Sequence, residues 1–540
     1  MSELIEFEKK TKFLIDELKS VCANAGLGND ASEYKVITQV FLYKFLNDKF
    51  LFEVKKLKKL DSKFNIEENL LKIKKKDYEL LLLQINENTA RFNPDQLIHS
   101  IFKKQEENNF AKIFDSNLIE ISKNNSEIFS IVTSGGQKIT IFENISKYVD
   151  DNKDNFCKAL INKLVNFSFE NTFNQGFDFF STIFEYLIKD YNSNSGGKYA
   201  EYFTPHSVSK IMASCLVREK TSNVSCYDPS AGSGTLLMNV ANKIGEDKCT
   251  IYSQDISQKS SQLLRLNLIL NNLVHSLPNI IQGNTLSSPF HKNNENLNQK
   301  FDYIVSNPPF KLDFSEYKND LDSKKNKERF FAGIPNIPKK KKEKMPIYLM
   351  FIQHIIYSLN PNGKAAIVVP TGFLSGKGID LKIRKYLIEN KIINAIISMP
   401  SNIFATTGTN VSIIFINKEI KSETIKLIDA SKLGEEINDG DNLKTFLTED
   451  DENKIVNAYN SNKSITGLLD IVEIQKIKEK KYSLNPGMYR KIKIDLYDWS
   501  KEDFKNIIDK DVSEIEKKIS NSKKSLQEIK DLIKKFNYDI

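Results

Sequence analysis

The sequence lacks most of what would mark a metalloprotein, a secreted protein or a membrane protein. Its five cysteines (Cys22, Cys157, Cys215, Cys226 and Cys249) form no C-x-x-C pair and do not cluster with the five histidines. Tetrahedral zinc needs clustered nitrogen and sulfur ligands, so no metal site is expected. An odd, scattered set of cysteines suits a reducing compartment. No segment approaches the ~18 consecutive apolar residues of a membrane span. The first ten residues carry three glutamates and no apolar core, unlike a signal peptide. These absences predict a soluble, cytoplasmic chain with no membrane contact.

Arginine is scarce as well: six of the 78 basic residues are Arg, while Lys, Asn and Ile are used heavily throughout. That pattern follows AT-rich codon usage. The net charge of +8 therefore says less about partners than where the charge lies. Hydrophobic residues make up 40% and charged residues 27%, the balance of an ordinary folded protein. At about 100–200 residues per domain, 540 residues predict two or three domains.

Residues 1–165 read as a helical domain. Within Tyr34–Val54, the apolar Val36, Ile37, Val40, Phe41, Tyr43, Phe45 and Leu46 recur with a helical period. From about residue 170 to 425 the pattern changes. Short β-rich runs (Val224–Tyr227, Cys249–Ser253, Asn279–Gln282, Phe301–Ser306, Lys364–Val369, Ile392–Ser398, Val411–Ile416) alternate with helical segments at Leu263–Leu273, Ile347–Leu359 and Ile379–Glu389. That alternation predicts an α/β, Rossmann-like, mainly parallel twisted sheet. In such sheets ligands bind beyond the carboxyl ends of the strands, so the residues just after each strand carry the chemistry.

A third region follows. Residues 426–500 form an extension, and residues 501–540 a terminal helix. Ile508, Ile515, Ser522, Ile529 and Phe536 are seven apart, and Val512, Ile519, Leu526 and Ile533 form a second row offset by four. Only Ser522 interrupts this coiled-coil seam. The stripe is read as a docking helix for another chain; packing on its own protein is the alternative.

Three strand ends stand out. Tyr227-Asp-Pro-Ser-Ala-Gly-Ser-Gly-Thr-Leu236 leads from a strand into a helix. Gly232 and Gly234 would let backbone approach a ligand at the helix N-terminus. There is no P-loop lysine, and Leu237 replaces the third glycine of a dinucleotide fingerprint. The acid Asp228 argues for a ligand bearing an amino group, as S-adenosylmethionine does; a ligand-free turn is the other reading. The second strand ends at Asp255, either a carboxylate for two ribose hydroxyls or a helix cap.

The third is Asn307-Pro308-Pro309-Phe310, 79 residues beyond Asp228. Two prolines fix a rigid extended loop. An exocyclic amino group is a weak nucleophile because its lone pair is delocalised into the ring. The Asn307 side-chain oxygen and the Pro308 carbonyl can accept its two N–H bonds, and Phe310 can stack on the base. Displacement at a sulfonium methyl then needs positioning more than acid–base power.

These motifs resemble the amino-methylating DNA methyltransferases, and most closely the modification subunits of type I restriction–modification systems. Tyr202-Phe203-Thr204-Pro205 resembles the family's N-terminal cofactor motif, although Ala200 stands where the family often has Gly. Asp228 to Thr235, including Ser230, resembles its main cofactor loop. Gly363-Lys-Ala-Ala-Ile-Val-Val-Pro370, Ile383-Arg384, Met399-Pro-Ser-Asn-Ile-Phe404 and Ser483-Leu-Asn-Pro486 resemble later family segments. The resemblance implies that Phe203 and Thr204 line the methionine end of the cofactor, and that Asp255 holds its ribose. Asn284 and Leu286 would then lie near its adenine, with Asn284 as a neutral partner where many relatives have Asp. It further implies N6 methylation of an adenine flipped out of double-stranded DNA. A separate specificity subunit would dock on the C-terminal helix, alongside a second modification subunit and a restriction subunit.

Lys311–Met345 has eleven basic and six acidic residues, densest at Lys339-Lys340-Lys341-Lys342. This suits phosphate contacts beside a base pocket, or equally a solvated loop. The competing readings are an RNA or protein-glutamine methyltransferase, which share Asn-Pro-Pro loops, and a catalytically silent DNA-binding scaffold.

Overall fold

The computed structural model describes residues 2–28, 31–58, 66–173, 183, 186–187, 204–295, 297–404, 410–419, 421–439, 442–490 and 501–535. Residues up to 489 form one compact unit and residues from 490 onward a second.

Thirteen strands are present among the described residues. They are β1 (Ile131–Thr133), β2 (Lys138–Ile139), β3 (Val224–Asp228), β4 (Cys249–Asp255), β5 (Ile280–Gln282), β6 (Phe301–Ser306), β7 (Leu359–Pro370), β8 (Ile393–Ser398), β9 (Val411–Asn417), β10 (Thr424–Asp429), β11 (Glu435–Asp439), β12 (Asn442–Phe446) and β13 (Leu469–Glu473). Eleven of them make one sheet in the order β13-β10-β8-β9-β7-β6-β3-β4-β5-β1-β2, and β11 and β12 pair apart from it. Neighbours from β7 through β1 run parallel. The antiparallel members are β9 and the two edge strands, β2 and β13. The order reverses at β3, with β4 on one side and β6 on the other, so the ends of these three strands flank the switch point where such sheets bind ligands.

The expected α/β fold is present, and the helix expected at Ile379–Glu389 spans those residues. The strand after Leu359 starts earlier than its β-branched run because a register shift between Phe301 and Tyr303 carries the pairing back past Gly363. A Cβ on Gly363 would lie 2.9 Å from the Phe301 carbonyl oxygen, so only glycine fits there.

The N-terminal region is mainly helical, built on Ala31–Lys58, Phe110–Asn124 and Lys153–Val165. Its core is aromatic: Tyr43 lies against Phe92, Phe114 and Phe142, with its hydroxyl donating 2.6 Å to the Gln96 carbonyl. Burying each such ring contributes about 1.5–3 kcal/mol. The region differs from an all-helical domain at one place: β1 and β2 leave the helices and add two strands to the sheet, β1 parallel to β5. One continuous apolar core runs from Leu14 to Leu469, and β10 and β13 carry the sheet past residue 425.

All five cysteines are buried and free. Among the described residues, no helix is long and apolar enough to cross a membrane, and no group of His, Cys, Asp or Glu is placed to hold a metal. In the second unit, Lys501–Lys535 is a single helix, about 50 Å long at 1.5 Å per residue. Its seam residues Ile508, Val512, Ile515, Ile519, Leu526 and Ile529 are 45–56% exposed. Phe536 lies outside the described residues.

Candidate active site

An open cleft lies at the carboxyl ends of β3, β4 and β6. Thr204, Asp228, Ser230, Gly232, Thr235, Asp255, Asn284, Asn307 and Pro309 line it, bringing together residues up to 105 positions apart that the sequence marked singly.

β3 delivers Asp228 into the cleft floor, 1% exposed. Its Oδ1 accepts from the Ser230 amide at 2.9 Å and from the Ser306 hydroxyl at 3.0 Å, and the two serine hydroxyls lie 2.8 Å apart. Burial pushes the Asp228 carboxyl up to about 7; the Ser230 and Ser306 donors oppose that, and nearby Asp255 adds to it. Asp255 ends β4. Its Oδ2 accepts from the Gly232 amide at 3.0 Å and its Oδ1 from the Ser257 amide at 2.8 Å. Burial raises this carboxyl too. The cap of the following helix, Gln258–Leu270, is Ser257 and not Asp255. The acid instead ties the glycine turn to the end of the neighbouring strand.

The two glycines of that turn do different work. Gly232 (φ +55°) aims its amide at Asp255. Gly234 caps the helix Thr235–Ile244 at φ +83°, and a Cβ there would meet Leu264 at 2.2 Å. Gly234 thus serves close packing of two helices and does not line the cleft.

Asn307 follows β6. Its Nδ2 donates to the Thr204 hydroxyl at 3.2 Å, which leaves Oδ1 as the atom offered for accepting a bond. Pro309 lines the cleft, Pro308 is buried, and the Phe310 ring packs edge-on against Tyr348, 6.3 Å between centroids. Neither Pro308 nor Phe310 is among the lining residues. Pro205 caps the helix His206–Leu216, and Tyr202 and Phe203 lie outside the described residues.

Asn284 lines the cleft with one end of its amide already engaged. Its Oδ1 already accepts from the Leu286 and Ser287 amides at 3.1 and 3.2 Å, and its buried Nδ2 has no hydrogen-bond partner among the described residues. The residue therefore offers a donor. Leu286 is buried outside the cleft, its carbonyl held by Arg329 at 2.5 Å.

Sequence reasoning missed one wall entirely. Phe314, Ile347 and Phe351 give the cleft an apolar side, with Lys311 at its rim. They belong to a small core that includes Leu286, Phe330 and Met345. The chain from Leu312 to Met345 is closed by a backbone bond between those two residues, 3.1 Å. The expected basic loop is thus a packed excursion: Arg329 is buried inside it, while Lys339–Lys342 are exposed.

The reversing parallel sheet thus carries acids at the ends of two adjacent strands and an Asn-Pro-Pro-Phe loop at the end of a third. Residues 175–495 match the N-6 DNA Methylase family, and the chain belongs to that family. It is 33% identical over 320 residues to the type I restriction enzyme MpnII methylase subunit of Mycoplasma pneumoniae, a match covering 58% of this chain and 57% of that protein. The MjaVIII methylase subunit of Methanocaldococcus jannaschii is 26% identical over 505 residues, covering 90% of this chain and 79% of that one. The crystal structure of a type I restriction–modification methyltransferase subunit from Streptococcus thermophilus shares the fold, with a TM-score of 0.71 at 22% identity, covering 90% of this chain and 100% of that chain.

Proposed function

We propose that this chain is the modification subunit of a type I restriction–modification system. In this reading it transfers a methyl group from S-adenosylmethionine to the N6 atom of an adenine in double-stranded DNA. The observation that carries the reading is the meeting of Asn307, Thr204, Asp228 and Asp255 in one cleft of an N-6 DNA methylase.

The cleft suits the cofactor. Two buried carboxylates favour a ligand with an ammonium and a sulfonium. The unpartnered Asn284 Nδ2 suits a purine ring nitrogen, since a buried donor left alone costs about 1–3 kcal/mol. The apolar wall of Phe314, Ile347 and Phe351 suits the flat face of a base. Asp255 would hold ribose hydroxyls and Asp228 the positively charged end. When bound, S-adenosylmethionine supplies an electrophilic methyl group.

The chain's own residues do the rest by orientation. Thr204 fixes the Asn307 amide so that its oxygen faces the incoming amino group. That oxygen and the Pro308 carbonyl accept the two N–H bonds and draw the nitrogen lone pair out of the ring. The adenine must leave the helix to reach them. The N–C bond forms as the S–C bond breaks, leaving a neutral thioether, and the methylated nitrogen releases one proton to solvent; positioning of this kind supplies a large part of the acceleration.

Sequence recognition would come from a separate specificity subunit docked on Lys501–Lys535, in a cytoplasmic assembly with a second modification subunit and a restriction subunit. The exposed seam supports this, because helices in proteins draw most of their stability from packing an apolar face against a neighbour.

Methylation mapping by long-read sequencing tests the reading, in host DNA carrying this gene with and without its neighbours. N6-methyladenine at a two-part motif that needs a neighbouring gene is the expected result. Methylation by this gene alone would place recognition within the chain. No DNA mark in either case would favour an RNA or protein substrate, or a silent scaffold.

A further inference from the structure

The hairpin of β1 and β2 belongs to the N-terminal region, yet it reaches the ligand edge of the sheet. β1 runs parallel to β5, with Val132 opposite Ile281 and Thr133 opposite Gln282. Its carboxyl end, and the turn Ser134-Gly135-Gly136-Gln137 that follows, therefore emerge on the same edge as Asp228, Asp255 and Asn307. The turn is well bonded, by Thr133 amide to Gln137 carbonyl at 2.8 Å and Gly136 amide to Thr133 carbonyl at 2.9 Å.

Two contacts join this turn to the cleft. The Ser134 amide donates to the Gln282 carbonyl at 2.8 Å, and on the other side the Gly283 amide donates to the Asp255 carbonyl at 2.7 Å. Gly283 immediately precedes the cleft residue Asn284. A Cβ at Gly283 would lie 2.6 Å from the Ser134 Cβ and 2.7 Å from its Oγ. Gly283 is not among the glycines with positive φ, so the neighbouring serine, and not backbone conformation, excludes a side chain here. The far end of the hairpin is clamped as well: the buried Arg265, on the helix that follows Asp255, donates to the Ile139 and Thr140 carbonyls at 3.0 and 2.8 Å.

We propose that this hairpin is a positioning element for the purine end of the cofactor, with Ser134 pressing on Gly283 to hold Asn284 in place. The inference rests on the methyltransferase reading above. It makes the N-terminal region part of the cofactor site. A change in the seating of that region would shift the Asn284 amide relative to the carboxylate of Asp255.

The test is calorimetric titration of the full chain with S-adenosylhomocysteine, alongside its ligand-free melting temperature. Gly283→Ala should weaken binding about tenfold, within the usual range of coupling between touching residues. Adding Ser134→Gly should restore affinity to within about twofold, because the next neighbour of the new methyl group, Gln254 Nε2, stands at an ordinary 3.5 Å. Should Gly283→Ala not fold, Ser134→Val presses the same contact from the hairpin side and should also weaken binding. Rescue of affinity at an unchanged ligand-free melting temperature would establish the positioning role. A double variant as weak as Gly283→Ala, or affinity untouched by either single variant, would overturn it. A wild-type chain that binds no S-adenosylhomocysteine would overturn the methyltransferase reading, and this inference with it.

Discussion

The cleft and the C-terminal helix handle their distinctive residues in opposite ways. In the cleft, two carboxylates are withdrawn from water and satisfied by Ser230, Ser306, Gly232 and Ser257. On Lys501–Lys535, isoleucines and valine that a folded chain would normally bury stand roughly half exposed. In the proposed reading, the cleft takes a small ligand. In the same reading, the helix carries the apolar half of an interface with a partner chain. On that reading the chemistry is carried by the first unit, and the second is explained by the exposed apolar stripe it presents.

The largest expected effect separates the two. Truncation before Ile508 should abolish capture of the specificity subunit while the melting temperature of the remaining chain stays unchanged. Unchanged capture would break the contrast, since the seam would then have no partner to explain it. Next comes Asn307→Ala. Losing the oriented acceptor should lower methyl transfer by about 10²–10³-fold, the scale seen when one preorganised hydrogen-bonding group is removed. Cofactor affinity should hold, so the loss should fall on turnover.

The smallest effect sharpens the account of the buried acids. Because burial raises the Asp228 carboxyl, the ligand-free fold retains a proton that the unfolded chain has already released. Its contribution to stability is therefore full below about pH 4 and is lost as pH rises through about 7. Cofactor affinity should run the other way, increasing through about pH 7 as the carboxylate ionises to meet a positive ligand. Asp228→Asn should flatten both profiles and weaken cofactor binding about tenfold, as expected for one charge-assisted bond. Titration calorimetry and melting curves across that range check both slopes.

Much of this was legible in the chain. Runs such as Ile393–Ser398 and Val411–Asn417 are mostly apolar because strands in the middle of a parallel-type sheet are covered on both faces. The acids and the Asn-Pro-Pro-Phe loop could be found because each directly follows such a run. The β1–β2 hairpin could not be found this way. A three-residue strand and a two-residue strand carry too little periodicity to stand out among helices, and β1 pairs with residues about 150 positions away. The Phe314 and Phe351 wall was hidden for the same reason: it is assembled by a long excursion whose closure depends on packing. The direction in which Asn284 points was illegible too, because it is fixed by the local amides of Leu286 and Ser287.

The burial of every cysteine has a practical consequence. Burial pushes the Cys22 thiol up to about 12 and raises Cys157 and Cys215, while a hydrogen bond with Cys249, with burial beside it, raises Cys226, so none of these offers an accessible thiolate near neutral pH. The native chain is thus close to silent toward maleimides and disulfide reagents. A single cysteine engineered at an exposed position, such as Ser522 on the terminal helix, would be the dominant reactive handle for a fluorophore or cross-linker. Native thiols would become reactive only as the core opens, which turns alkylation into a clock for unfolding.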